Sequence, residues 1–303
     1  MTTLSIEKNF AISNHEAPVY ALEPFNEEGF FSGGGDKIIS LRGLFKQSES
    51  KGIVNTGTTI YSLKFLSHKN TLLAGVAGGG MHVIDLNEKK EIHFLLFHQK
   101  GIYIIQYSLV NNLIITAGGD GKLAFWSAGN FTFLKSLSLC TEKIRTVALD
   151  KTEKIAAIGC GDGTIRIINL ESLEEIHSFV AHKSSVNAVF FHPEQDILLS
   201  GGRDAHLNFW TSKDFQSIKS IPAHNYAIYS IVFSPDNSLF ASSSRDRTLK
   251  IWGSENLNFL YRIDAEKNEG HKHSVNKIIW MKDNLLSASD DRSIISWKIK
   301  NLS

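Results

Sequence analysis

Leu198-Leu199-Ser200-Gly201-Gly202-Arg203-Asp204-Ala205-His206-Leu207-Asn208-Phe209-Trp210 reads as a strand, a tight turn and a second strand ending in tryptophan. Gly201 and Gly202 relax the backbone ahead of the turn, Asp204 suits the turn itself, and the flanks are apolar or aromatic. One such hairpin carries little information. Seven versions of it recur, and the repetition decides the fold class. Counterparts of Asp204 stand at Asp36, Asp120, Asp162, Asp246 and Asp291, with Gly78 in the matching slot of the second unit. From Asp36 to Asp246 every step is 42 residues. The last step is 45, and the extra length falls in the polar loop Asp264–Gly270.

Each period holds about four short β runs, the spacing of an antiparallel all-β architecture. In the fifth unit they are predicted at Val186–Phe191, Ile197–Gly201, His206–Trp210 and Ser217–Ile221. Turn chemistry divides them, as in His192-Pro193-Glu194 and, one unit on, Ser234-Pro235-Asp236. Only five prolines and no low-complexity linker interrupt the chain, so residues 1–303 are expected to form a single array. Residues 14–303 supply seven repeats of about 42 residues, and 1–13 stand outside them.

This unit resembles the WD-repeat (WD40) family of β-propellers: a His near the start, a turn Asp some twenty residues later, and a Trp closing the third strand. The His position holds His15, His98, His182, His224 and His271. Four residues before the Asp stand Ser32, Thr116, Ser200, Ser242 and Ser287, and the Trp position holds Trp126, Trp210, Trp252 and Trp297. The resemblance implies a buried hydrogen-bonded chain running from Trp through Ser or Thr and His to Asp. In the first unit Leu41 is read at the Trp position. The second and fourth units carry Thr56 and Cys140 at the His position and Ile84 and Ile168 at the Trp position, and are expected to rely on apolar packing.

The expected fold is therefore all-β, a seven-bladed β-propeller of four-stranded antiparallel blades. Trp297 is followed by too few residues for another strand and its turn. Leu4, Ile6, Phe10 and Ile12 read as one apolar face, with Ser5, Glu7 and Asn9 on the other. Residues 1–13 are thus expected to become the outer strand of the last blade, closing the array and covering an open edge.

Bulk composition narrows the function classes. A net charge of +1 argues against a nucleic-acid binder that depends on a large basic field. No apolar run approaches the roughly 20 residues that span a bilayer. Met1–Lys8 lacks the features of a secretory leader, and two cysteines cannot form a disulfide framework. The expectation is a cytoplasmic protein without membrane association.

Several features mimic active sites. Ser32-Gly33-Gly34-Gly35-Asp36 and Ala77-Gly78-Gly79-Gly80 invite a phosphate-loop reading, but both sit in the repeated turn slot and neither opens a helix. The His, Ser and Asp sets imitate a hydrolase triad, yet a triad occurs once and needs an exposed nucleophile with an oxyanion site. Twelve histidines show no metal-ligand spacing, and His271 with His273 reads as a structural residue beside a solvated one. No cofactor, metal or catalytic residue is expected. Cys140 and Cys160 fall in one repeat, at the His slot and two residues before Asp162. They read as two small buried apolar residues, with a redox pair as the sharper alternative.

A partner-binding face is indicated instead. Five residues after the His slot stand Tyr20, Tyr61, Tyr103, Arg145, Asn187, Tyr229 and Asn276, which include four of the seven tyrosines and no aliphatic residue. The residue before each is β-branched: Val19, Ile60, Ile102, Ile144, Val186, Ile228 and Val275. That alternation separates a packing face from a ring of rigid, polar-tipped side chains suited to binding. Lys143, Arg203 and Arg245 add positive charge, partly opposed by Glu16 and Asp290, which mildly favours acidic or phosphorylated segments, while a basic segment held over the tyrosines by cation–π contact is an equally open alternative. The reading is a non-catalytic protein–protein scaffold, monomeric or part of a larger complex. The alternatives are an enzyme with substrate at the channel mouth, and nucleic-acid or phospho-ligand binding through the basic side.

Overall fold

The computed structural model describes residues 3–44 and 50–302. Their strands fall into seven four-stranded antiparallel sheets, the blades of an all-β seven-bladed propeller. Blade 1 comprises Val19–Asn26, Gly29–Gly34, Ile38–Gly43 and Ser50–Asn55; blade 2, Ile60–Leu66, Thr71–Val76, Gly80–Asp85 and Lys90–Leu96. Blade 3 holds Ile102–Ser108, Leu113–Gly118, Lys122–Ser127 and Phe133–Ser138; blade 4, Ile144–Leu149, Ile155–Cys160, Thr164–Asn169 and Glu174–Val180. Blade 5 holds Val186–Phe191, Ile197–Gly202, His206–Thr211 and Ser217–Pro222, each strand within a residue of its predicted bounds. Blade 6 is built from Ile228–Phe233, Leu239–Ser244, Leu249–Gly253 and Phe259–Ile263, and blade 7 from Val275–Met281, Asn284–Ser289 and Ile294–Leu302. The fourth strand of blade 7 is Thr3–Ile12, which pairs antiparallel with Ile294–Leu302. The N-terminal strand thus closes the last blade; residues 1 and 2 of the expected closing segment lie outside the described residues.

Two compact units divide the chain: Met1–Ile60 with Tyr229–Ser303, and Tyr61–Ile228. Within each, the core lies between successive blades. In the second unit, Ile115, Leu123 and Phe125 of blade 3 meet Ile144, Val147 and Ile158 of blade 4. In the first, Leu239, Leu249 and Ile251 of blade 6 meet Val275, Ile278 and Leu285 of blade 7. All of these are at least nine-tenths buried, and burying such side chains stabilises by roughly 1.5–3 kcal/mol each. Second strands such as Leu113–Gly118 are buried along their length, whereas fourth strands such as Phe133–Ser138 turn most side chains to solvent.

The repeated turn has one backbone signature. The residue after the Asp slot is left-handed in every unit: Lys37, Gly79, Gly121, Gly163, Ala205, Arg247 and Arg292. The Asp side chain stabilises that turn by accepting from the amide two residues on, as Asp162 does from Thr164 (3.0 Å) and Asp291 from Ser293 (3.0 Å).

Two local readings change. The apolar residues of the first strand do not share one face, because a β-bulge between Lys8 and Phe10 reverses the alternation. Leu4 and Ile6 pack into the core shared by blades 6 and 7, while Phe10 and Ile12 join the core of blades 7 and 1. The polar loop after Asp264 forms a short helix, Ala265–Asn268, capped by the Asp264 carboxylate, which accepts from the amides of Glu266 and Lys267.

Candidate functional site

The triad-like residues are consumed inside the blades. In blade 5, Trp210 Nε1 donates to Ser200 Oγ (3.0 Å), Ser200 donates to His182 Nε2 (2.8 Å), and His182 Nδ1 donates to Asp204 (2.9 Å). Blade 3 repeats the chain through Trp126, Thr116, His98 and Asp120, and blade 7 through Trp297, Ser287, His271 and Asp291. In blade 6, Trp252 donates to Ser242 Oγ (2.9 Å) and His224 is buried. Both nitrogens of His98, His182 and His271 are engaged, and every hydroxyl in these chains is fully buried. None is a nucleophile open to substrate. Among the described residues, no group of three or more His, Cys, Asp or Glu side chains is placed to hold a metal.

Blade 1 corrects the reading of Leu41. The register places Arg42, not Leu41, at the Trp position: Arg42 faces Phe30 as Trp126 faces Ile114. Arg42 Nε donates to Ser32 Oγ (2.8 Å), the bond an indole N–H makes elsewhere, and Ser32 continues to His15 (2.9 Å) and Asp36 (2.5 Å). Arg42 is 3% exposed, and its buried Nη1 finds no hydrogen-bond partner among the described residues. Burial pushes its pKa down to about 10, against the pull of Asp36. The slot lies six residues after the turn Asp, as Trp126 follows Asp120, and Arg42 stands six after Asp36. In blade 2 Thr56 replaces His and staples the loop by donating to the carbonyls of Thr58 (2.8 Å) and Lys37 (3.1 Å).

The ring positions have a geometry that periodicity does not reveal. The β-branched residue before each is 0–1% exposed, from Val19 to Val275. Tyr20, Tyr103, Arg145, Asn187 and Asn276 each fall where the register between first and second strands shifts, so each is a bulged residue. A bulge re-aims its side chain away from the ladder, which separates these residues from the packed face.

In the second unit three of them form a row. Tyr61 and Tyr103 have ring centroids 5.0 Å apart, and the Arg145 guanidinium lies 4.7 Å over the Tyr103 ring. All three are half-buried, so the row keeps one side to solvent. Burial and then Tyr103 raise the Tyr61 phenol pKa, with Arg145 opposing. Lys143 is half-buried beside the row; the charge of Arg145, partial burial and the charge of Arg203 lower its pKa, with Glu142 opposing. Arg203 is exposed, its amide held by the Ser185 carbonyl (2.8 Å). Gly101, which the sequence reading passed over, makes the row possible: a Cβ there would lie 2.8 Å from the Tyr61 ring. A glycine two residues before a ring tyrosine was the available signal.

The two asparagines have other engagements. Asn187 is 6% exposed; it donates to the Ile228 carbonyl (3.1 Å) and accepts from Ser185 (2.9 Å). Asn276 donates to the Val19 carbonyl of blade 1 (3.0 Å) and to Asp290 (2.8 Å), so Asp290 is spent on a side-chain bond within the blade. In the first unit, Tyr20 and Tyr229 are half-buried, and Glu16 and Arg245 are exposed.

Comparison with known proteins follows the repeats. The family model described as WD domain, G-beta repeat matches residues 173–211 and 215–253. The chain is 25% identical over 146 residues to the mouse telomerase protein component 1, covering 48% of this chain and 6% of that protein. It is 24% identical over 157 residues to human WD repeat-containing protein 36, covering 50% and 17%. It is 29% identical over 149 residues to the chicken serine-threonine kinase receptor-associated protein, covering 49% and 41%. Each match spans less than half of the relative's own length. The two matched repeats and the WD-repeat relatives make this chain similar to WD40 proteins, and its seven four-stranded blades are those of a β-propeller.

Proposed function

We propose that residues 14–303 act as a non-catalytic protein-interaction scaffold whose docking residues are the bulged inner-strand side chains. The carrying observation is the Tyr61–Tyr103–Arg145 row, flanked by Lys143 and Arg203. Aromatic rings and an arginine offer rigid contact area at low entropy cost, the composition that concentrates binding energy at interfaces. In the first unit Tyr20 and Tyr229 occupy the same sequence position, and Arg245 stands in the slot that Arg203 fills in the second. Clustered cations suit an acidic or phosphorylated segment of a partner, held by charge-assisted hydrogen bonds. The wider reading rests on the WD-repeat relatives, among them one whose name describes association with a kinase receptor. A cytoplasmic setting agrees with two free cysteines, and no helix among the described residues is long and apolar enough to cross a membrane.

The test is affinity purification with wild type and a Tyr61→Ala, Arg145→Ala double variant, folding being checked by circular dichroism. Loss of a specific partner by at least tenfold supports the face, and undiminished capture overturns it. Titrating salt against the captured partner separates the nucleic-acid alternative, whose affinity falls steeply and linearly on a log–log plot.

A further inference from the structure

Blade 4 departs from the complete blades at two slots that lie against each other. In blade 5 the His slot is His182 and the slot two residues before the Asp is Gly202, where a Cβ would stand 2.4 Å from His182 Nδ1. In blade 4 these same slots carry Cys140 and Cys160. The two lie together: Cys140 packs on the core cluster that contains Cys160, and the Cys140 thiol donates to the Glu142 carbonyl (2.9 Å). Their surroundings differ. Cys160 is fully buried, whereas Cys140 is half-buried on the loop that leads into Lys143 and Arg145.

We propose that Cys140 and Cys160 form a reversible, peroxide-oxidisable dithiol, a modification site that closes to a disulfide within blade 4. Cys140 is the attacking sulfur because it reaches solvent, and Cys160 is the resolving sulfur because it is shielded and in contact. The microenvironment agrees: the neighbouring Cys160 thiol lowers the Cys140 pKa to about 7 against the effect of burial, and the Gly161 amide helps. The Cys160 thiol is pushed up by the neighbouring Cys140 sulfur and by burial, so it keeps its proton. In the first step the Cys140 thiolate attacks one oxygen of hydrogen peroxide and the O–O bond breaks. Cys140 becomes a sulfenic acid, and the departing hydroxide takes a solvent proton to leave as water. In the second, the Cys160 sulfur attacks the Cys140 sulfur while its proton passes to the sulfenic oxygen. The S–S bond forms, the S–O bond breaks and a second water leaves. Two thiols are oxidised and one peroxide is reduced to two waters. The bond ties the Cys140–Lys143 loop to the end of the second strand, next to the cation-bearing inner strand.

The experiment uses the full chain, stepwise hydrogen peroxide, quenching, and alkylation in denaturant followed by intact-mass measurement. Wild type is expected to lose both alkylatable thiols together, to become lighter by two hydrogens, and to regain both thiols with dithiothreitol. Cys160→Ser is expected to yield a dimedone adduct at Cys140, and Cys140→Ser to lose its remaining thiol at least tenfold more slowly. Wild type in which both thiols remain alkylatable overturns the proposal. So does oxygen added to one sulfur with the other still alkylatable, or a disulfide between two chains. The wild-type arm decides even if a variant folds poorly.

Discussion

At the scale of single residues, the hydrogen-bonded chains explain why triad-like sets of residues recur from blade to blade. In blades 3, 5 and 7 the Ser or Thr hydroxyl donates to a histidine and accepts from an indole, and the His98, His182 and His271 rings are locked between hydroxyl and carboxylate. These bonds satisfy polar groups that burial would otherwise leave costly. Trp210→Phe deletes the donor to Ser200 Oγ while keeping an aromatic ring. It is expected to destabilise the protein by roughly 1–3 kcal/mol in urea unfolding, and an unchanged midpoint would contradict this role. Arg42 shows that, where the Ser is present, an N–H donor other than an indole can fill the slot. Its aliphatic stem packs among buried residues while Nε supplies the bond to Ser32.

At the scale of the element, the bulges carry the argument. Asn9 is the extra residue that lets one strand serve two cores, Leu4 and Ile6 on one side and Phe10 and Ile12 on the other. Deleting Asn9 restores strict alternation and forces one apolar pair out of its core. The expected cost is roughly 2–4 kcal/mol by thermal or chemical denaturation. Asn9→Ala keeps the bulge and loses only the bond to Asn284 (3.2 Å), so it is expected to cost no more than about 1 kcal/mol. Equal effects of the two changes would show that the bulge is dispensable. The inner-strand bulges work in the opposite sense, turning Tyr103 and Arg145 out of the ladder.

At the scale of the whole molecule, the repeated histidines and aspartates predict acid sensitivity with a defined sign. Burial holds His15 and His98 below the ordinary histidine value of 6.5, Arg42 adding to the effect at His15. Below pH 6.5 the unfolded chain therefore binds protons that the folded chain refuses, and stability declines as pH falls. Burial acts to raise the Asp204 carboxyl, but the hydrogen bond and charge of His182 outweigh it and hold the pKa at about 2; Asp120 and Asp291 shift in the same direction. That contribution is complete above the unfolded value near 3.8 and is lost as pH falls through about 2. The melting temperature is expected to fall first below pH 6.5 and again below pH 4, with a smaller second drop in Asp204→Asn. A melting temperature that rises on acidification would refute the assignment.

The sequence by itself determined the seven units, their four strands, the turn at each Asp and the closing role of the N-terminal segment. All of these follow from alternation, turn chemistry and a period that survives substitution, which are local properties written many times over. Only the tertiary structure decided that Arg42 stands in the Trp slot, that the first strand feeds two cores, and that Tyr61, Tyr103 and Arg145 form a row. It alone engaged Asn187 and Asn276 with neighbouring backbone and brought Cys140 against Cys160. A bulge is set by which residues pair across two strands, and these contacts join groups separated by anything from one hairpin to nearly the whole chain. No period read along a single strand contains that information.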